Sequence, residues 1–384
     1  MSQESPGETM IAVMADDITG AAELANAARQ AGFATEVQLR FCPDSSAEVI
    51  CLDTATRSLP AALARQRAGE MAKIVAATGP VFIYKKCDSV LRGSVADEAL
   101  AIASAFGKRQ VLLVSANPSR QRIIRNGQYY VEGVPLAQTV FARDPEHPRH
   151  ASRVAELVGG DGRIETPDAT SAEDLQRLAA RVDGETLAAG GVDFFSALVE
   201  AKFGRRISPV TSPDSIWRAE GPALFVCGSQ AAWQGDRGGQ LRKQGVPIFP
   251  MPQALFETEW NEEILARWAS FAAGAARENG AALLAIGGGE AAPGTTPEML
   301  AERLAQAVEL LVQRTPVAHI FLEGGGTASA VMRQLGLDRF HTGASPGAGV
   351  GALRPDEQDG PEFLIKPGSY PWPEAVWEKL AARS

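Results

Sequence analysis

Residues Met10 to Gly32 read MIAVMADDITGAAELANAARQAG. Met10–Ala15 is a short apolar run of the kind that forms a strand buried on both faces. Asp16–Gly20 is a polar turn. From about Ala21 to Ala31, the residues Ala21, Leu24, Ala25 and Ala28 recur at helical spacing and give one apolar face. Gly32 is placed to end that helix. Strand, polar turn and helix in this order is the opening half of a β-α-β unit, and it predicts a parallel sheet covered by helices.

The same pattern repeats outward. Val81–Tyr84 reads as a strand, Lys85–Gly93 as a polar turn, and a helix follows from Val95 with Ser94 and Asp97 as its start signal. Gln110–Ser115 is another strand, followed by a long basic loop, Asn117–Gly127, that ends in the turn dipeptide Asn126-Gly127. Phe203–Pro222 has no clear periodicity and reads as a linker. Beyond it, Ala223–Cys227 leads into Gly228-Ser229, Ala281–Ile286 into Gly287-Gly288-Gly289, and Ala318–Leu322 into Gly324–Thr327 with a helix to about Leu335. Gly343–Gly351 is a glycine-rich loop and Phe363–Lys366 a last strand. The expected fold is α/β with two domains, 1–208 and 209–384. Each has a mostly parallel sheet, and the active site is expected in the cleft between the two.

Composition narrows the function. The 384 residues are 45% hydrophobic and 22% charged, as in an ordinary globular protein. A net charge of -9 argues against a nucleic-acid binder, which shows a broad basic surface. No apolar run approaches the roughly 20 residues of a membrane helix. The N-terminal MSQESPGETM lacks a secretory pattern. The four cysteines (Cys42, Cys51, Cys87, Cys227) include no CxxC and read as reduced thiols of a cytoplasmic protein. An acidic protein of this kind takes an anionic small molecule only through a local basic pocket.

In parallel α/β sheets, ligands bind at the carboxyl ends of the strands, where every turn named above falls. The first-half turns carry Asp, Lys and Arg. Asp16 and Asp17 are adjacent after a strand; such carboxylates accept sugar hydroxyl protons, ligate a metal or cap the helix. Asp53 and Arg57 follow the apolar run Val49–Leu52. Lys85-Lys86-Cys87-Asp88-Ser89-Val90-Leu91-Arg92-Gly93 puts two ammoniums, a carboxylate, a hydroxyl and a guanidinium within one turn. A guanidinium fork matches a carboxylate, and lysines suit phosphate charge. The second-half turns carry Gly, Ser and Thr, which let backbone N–H groups converge on phosphate at a helix N-terminus. There is no Walker A sequence, no protein-kinase signature and no GxSxG. Gly287, Gly289 and Ala292 approximate a dinucleotide fingerprint, but Pro293 follows at once. His147 and His150 flank Pro148 and read as a surface loop, so the sequence assigns no metal ligands.

With these residues named, the sequence from about Ile11 onward resembles the four-carbon acid sugar kinases. Ala15-Asp16-Asp17-Ile18-Thr19-Gly20-Ala21 is similar to that family's opening motif, Lys85–Gly93 to its second, and Tyr130–Pro145 to its central segment. Gly228-Ser229 and Gly324–Ala328 resemble its nucleotide-side motifs, and Pro346-Gly347 and Lys366–Gly368 do so more loosely. The resemblance implies an N-terminal domain for the acid sugar and a C-terminal domain for ATP. The family usually carries an acid between the glycines and the threonine of GG-x-TA, where this chain has Gly326; Glu323 or Glu290 is the expected substitute. Lys366-Pro367-Gly368-Ser369-Tyr370-Pro371 departs from the family's Lys-Ser-Gly-x-Phe-Gly, and Ser119–Arg125 lacks its Gly-Arg step.

The expected activity is ATP- and Mg2+-dependent phosphorylation of a terminal hydroxyl of a sugar acid such as threonate, erythronate or 3-oxo-tetronate. Asp17, Lys86 and Asp88 are the expected catalytic set, with one aspartate as base. Asp16, Arg57, Ser89 and Arg92 are the expected substrate contacts, the two arginines on the carboxylate. Ser229, Gly325, Gly326, Thr327, Ser345, Pro346, Gly347 and Gly368 are expected to hold the nucleotide. The expected partners are the sugar acid and ATP, with neither nucleic acid nor membrane and with room for a homo-oligomer. Two other readings stay open: a ligand sensor without catalysis, and an NAD-dependent dehydrogenase.

Overall fold

A computed structural model describes residues 10–144, 146–207, 221–229, 236–347, 349–356, 360–368 and 371–381. Contacts divide the chain into two units, Met1–Pro209 and Val210–Ser384. Most of the expected linker, residues 208–220, lies outside the described residues; Phe203 is the last residue of a helix.

In the first unit β1 (Ile11–Ala15), α1 (Ile18–Gln30), β2 (Thr35–Gln38), β3 (Val49–Asp53), α2 (Ala61–Ala76), β4 (Phe82–Lys86), α3 (Val95–Ala105) and β5 (Gln110–Val114) succeed one another. Then come β6 (Arg122–Arg125), β7 (Gln128–Val131), β8 (Val134–Pro135), α4 (Val154–Val158), β9 (Ile164–Glu165), α5 (Ala172–Ala180), β10 (Thr186–Gly190) and α6 (Val192–Phe203). The main sheet runs β2-β3-β1-β4-β10-β5-β9, with every pairing parallel. Its central strands are apolar until their carboxyl ends, where Asp53 of β3 and Lys85-Lys86 of β4 fall, and β1, β3 and β10 are buried at every residue. The chain leaves β1, fills β2 and β3 on one side, then crosses to β4 on the other. That reversal puts a switch point at the carboxyl ends of β3, β1 and β4.

Four local readings change. The first helix starts at Ile18, not Ala21, because Asp17 caps it: its carboxylate accepts from the Gly20 N–H at 2.8 Å. Lys85 and Lys86 belong to strand β4, not to the turn after it. Ser94 precedes α3 without a capping bond from its side chain. The basic stretch after β5 is an antiparallel hairpin, β6-β7, extended by β8. Asn126 (φ 53°) and Gly127 (φ 69°) make the turn, since both positions of such a hairpin turn need positive φ.

The second unit runs β11 (Ala223–Cys227), α7 (Asp236–Lys243), β12 (Ile248–Pro250), α8 (Glu262–Asn279), β13 (Ala281–Ala285), α9 (Pro297–Arg314), β14 (His319–Glu323), α10 (Gly325–Gln334), β15 (Arg339–Thr342), β16 (Gly351–Pro355), β17 (Glu362–Lys366) and α11 (Glu374–Ala381). The order is β12-β13-β11-β14-β17-β16-β15, parallel through β17 and antiparallel at β16 and β15. Here the switch point lies between β11 and β14. The core stacks Phe225 on Phe321, ring centroids 4.4 Å apart and 13° from parallel, with Trp372 and Trp377 against them. Both units are thus α/β with mostly parallel sheets. Among the described residues no helix is long and apolar enough to cross a membrane.

Candidate active site

The first unit's switch point gathers the chemistry of three turns. Asp16 and Asp17 follow β1, Arg57 lies beyond the end of β3, and Lys86 to Arg92 leave β4. Arg57 is the hub. Its Nε and Nη2 donate to the two oxygens of Asp16 at 2.8 and 3.0 Å, and its Nη1 donates to Asp17 Oδ2 at 2.5 Å and lies 3.6 Å from Asp88 Oδ1. The Thr56 and Arg57 N–H groups both donate to the Asp16 carbonyl, which ties this loop to β1. Gly93 makes the packing possible: its φ is +81°, and a Cβ there would lie 3.1 Å from the Arg57 carbonyl oxygen. Arg92 grips Asp88 with a two-pronged pair, Nε to Oδ2 at 3.1 Å and Nη2 to Oδ1 at 2.8 Å, and reaches Asp144 at 3.0 Å.

Burial works against charge on Asp16, but Arg57 and Lys85 outweigh it and hold the carboxyl below its ordinary range. Burial of Asp88 is likewise overcome by Arg92 and Arg57, which hold it well below. Both are therefore carboxylates at neutral pH. Asp17 differs in access: its side chain is 12% exposed, against 3% for Asp16 and 4% for Asp88. Burial pushes the Cys87 thiol up to about 12, so it is no nucleophile.

The two lysines of β4 face different partners, as neighbours on a strand must. Lys85 is buried against Glu98 of α3 at 2.7 Å. Lys86 donates to the Cys87 carbonyl at 2.8 Å and pairs with Glu23 of α1 at 3.3 Å. Ser89 receives a hydrogen bond from Arg122 of the hairpin, and its carbonyl accepts one from the Tyr129 hydroxyl. The structure thus brings together all seven residues expected in the first half: Asp16, Asp17, Arg57, Lys86, Asp88, Ser89 and Arg92. The two arginines meet aspartates. Sequence reading missed Glu23, Glu98, Arg122 and Asp144, whose partners lie 13 to 97 positions away in the chain and share no local pattern with them.

In the second unit Gly228-Ser229 follows β11, and Gly324 (φ +94°) turns β14 into α10. These turns meet. A Cβ on Gly228 would lie 2.0 Å from Thr327 Oγ1. Gly325, Gly326 and Thr327 form the first turn of α10, whose N–H groups have no intrahelical partner. Ser345 is turned inward, donating to the Gly347 and Val350 carbonyls at 2.7 and 2.6 Å, while Gly347 N–H donates back at 3.2 Å. Pro346 is buried in that loop, and Gly368 follows β17. Ser369 and Tyr370 lie outside the described residues. The dinucleotide spacing at Gly287–Ala292 is corrected by geometry: no helix opens there, since α9 starts only at Pro297.

Glu323, one of the two expected replacement acids, has protein partners at both carboxylate oxygens. It accepts from the Trp372 indole at 2.7 Å, pairs with Lys366 at 3.3 Å and lies 3.5 Å from the Cys227 sulfur. Glu290 sits exposed in the loop after β13, its backbone bonded to Gln253. Among the described residues no group of three or more His, Cys, Asp or Glu is arranged to hold a metal. The described residues therefore do not fit a protein cage for Mg2+.

Comparison with known proteins follows the same division. The family described as "Sugar-binding N-terminal domain" matches residues 11–195, and "Nucleotide-binding C-terminal domain" matches residues 240–370. The chain is 29% identical to a D-threonate kinase of Bordetella bronchiseptica over 86% of each chain. It is 27% identical to a 3-oxo-tetronate kinase of Methylobacterium radiotolerans over 93% of this chain and 95% of that one. The crystal structure of a Haemophilus influenzae protein, 19% identical, matches with a TM-score of 0.68 over 97% of this chain and 99% of that chain, and shares the fold. The motifs at the two switch points, the two domain matches and the kinase relatives along most of its length agree, and the chain belongs to the four-carbon acid sugar kinase family.

Proposed function

We propose that this chain transfers the γ-phosphoryl group of ATP to a terminal hydroxyl of a four-carbon sugar acid of the threonate, erythronate or 3-oxo-tetronate type. The observation that carries the reading is the cluster of aspartates, arginines and Lys86 at the first unit's switch point. It sits in the segment matched by the sugar-binding family. Phosphoryl transfer depends mainly on positioning and charge neutralisation, and this cluster supplies both.

Asp17 is the base. It is the most exposed of the three aspartates, and Arg57 keeps its carboxylate oriented. The substrate hydroxyl gives its proton to Asp17 as the new O–P bond forms; the bond from the γ-phosphorus to the bridging oxygen breaks, and ADP leaves. Lys86 neutralises charge on the transferring group. Asp16 and Asp88 hold the remaining hydroxyls, with Ser89 beside them. Arg92, 21% exposed, is the guanidinium open to the substrate carboxylate. Gly228, Ser229 and the first turn of α10 hold the nucleotide phosphates through backbone N–H groups, and the Ser345–Gly347 loop lines the nucleotide. Mg2+, when bound with ATP, would supply charge neutralisation on the phosphates.

The test is a coupled ADP-release screen over four-carbon and related sugar acids. Turnover of one or more supports the reading. ATP binding without ADP release on any acid would favour a sensor and defeat it.

A further inference from the structure

Lys86 and the loop that precedes the hairpin are joined by a carboxylate that the reading so far gives no role. Glu23, on the second turn of α1, places Oε2 3.3 Å from Lys86 Nζ and Oε1 2.6 Å from Arg120 Nη1. It therefore links three separate pieces of the site: the helix capped by Asp17, the end of β4, and the segment after β5. The geometry around it is closely filled. A Cβ on Gly20 would stand 3.2 Å from both Lys86 Cγ and Asp17 Oδ1, so the lysine stem passes directly over the first turn of α1. The ammonium has a second fixed partner in the Cys87 carbonyl. Burial opposes charge on Glu23, yet Lys86 and Arg120 hold its carboxyl below the ordinary range, so it is ionised whenever the site works.

We propose that Glu23 is a positioning residue that aims Lys86 and Arg120 together at an anionic group of the bound substrate. This rests on the kinase reading above. Lys86 alone is a flexible ammonium on a four-carbon stem. Anchored by Glu23, it is held beside the aspartates, and Arg120 is drawn to the same point. The anion is either the transferring phosphoryl group or the acid's own carboxylate; both are oxyanions that two cations would share.

The experiment compares wild type with Glu23→Gln, Glu23→Asp, Arg120→Gln and the double variant Glu23→Gln/Arg120→Gln. ADP release, sugar-acid binding by calorimetry and thermal midpoint are measured for each. Glu23→Gln keeps the shape and removes the charge, and is expected to lower kcat/KM on the order of 10- to 100-fold, the range for losing a charged hydrogen bond. A fall in kcat at constant KM places the pair on the phosphoryl group; a rise in KM with weaker binding places it on the carboxylate. Glu23→Asp is expected to recover part of the loss, and the double variant to lose less than the two single effects combined. Wild-type kinetics in Glu23→Gln overturns the proposal. So does a loss that follows the thermal midpoint and disappears at a lower assay temperature. If wild type releases no ADP with any acid, the kinase reading fails separately. The calorimetric comparison then decides this one: unchanged affinity in Glu23→Gln overturns it.

Discussion

Replacing Arg57 by methionine keeps most of the side-chain volume and removes the charge that three aspartates share. Asp88 keeps Arg92 as a partner. Asp16 and Asp17 lose their direct cation, and Asp16 is 3% exposed. Removing one partner of a buried ion pair costs about 3–5 kcal/mol, because the other charge stays buried and uncompensated. Arg57 is itself 15% exposed, so water relieves part of this and the lower end, ~3 kcal/mol, is expected. For a unit of roughly 200 residues that is ~6–12 °C in the thermal midpoint. The pH dependence gives the sharper check. The depressed carboxyls of Asp16 and Asp88 contribute stability that is present above the unfolded value near ~3.9 and is lost as pH falls through the folded value. In the variant, burial is the dominant influence left on Asp16 and raises its carboxyl. Lowering the pH from neutral then protonates it and relieves the strain, so the deficit against wild type is full near neutrality and narrows on mild acidification. Calorimetry on both proteins at neutral pH and at about pH 5 measures this. A neutral-pH deficit below ~1 kcal/mol, or one that widens at about pH 5, would refute the assignment of Arg57 as the hub.

Asp17→Asn should retain the cap of α1, since asparagine caps as well as aspartate, and lose about 10²–10⁴ in kcat as a missing base does; an unchanged kcat reassigns the base. Gly228→Ala should destabilise the second unit by about 1–3 kcal/mol through the clash with Thr327 and raise the KM for ATP, because the two turns can no longer meet. Gly326→Asp meets no atom within 4 Å of its Cβ. It adds a carboxylate to the first turn of α10, worth about 0.3–1 kcal/mol, so its midpoint should match or exceed wild type, and half-maximal turnover should need less Mg2+. A markedly lower midpoint would contradict the open space beside Gly326.

The apolar runs, their turns and the helical spacing after them are local properties, and they place β1, β4, β5, β11, β13, β14 and β17 within a residue or two. The two chemistries at the strand ends are equally legible, because Asp16-Asp17, Lys85–Gly93 and Gly324–Thr327 are each continuous in the chain. Boundaries are less so. Asp17 starts α1 early because a carboxylate that caps a helix must precede its first turn. The charge of the β6-β7 hairpin masks it in the sequence: Arg122 is buried against the Phe141 ring, while Arg125 is exposed and lies over Tyr130.

Partnership is what the linear chain does not carry. Strand order puts β1 between β3 and β4, and that order brings Arg57 onto aspartates 40 and 41 positions away. Alternation along β4 announces that Lys85 and Lys86 face opposite ways, but only packing shows that one meets Glu98 and the other Glu23. Glu323 looks in sequence like a spare acid beside the glycine turn; the parallel register of β14 and β17 sets it opposite Lys366. Periodicity reports which way a side chain points. Which charge lies there depends on how distant segments stack, and that is decided by the free energy of the whole packed sheet.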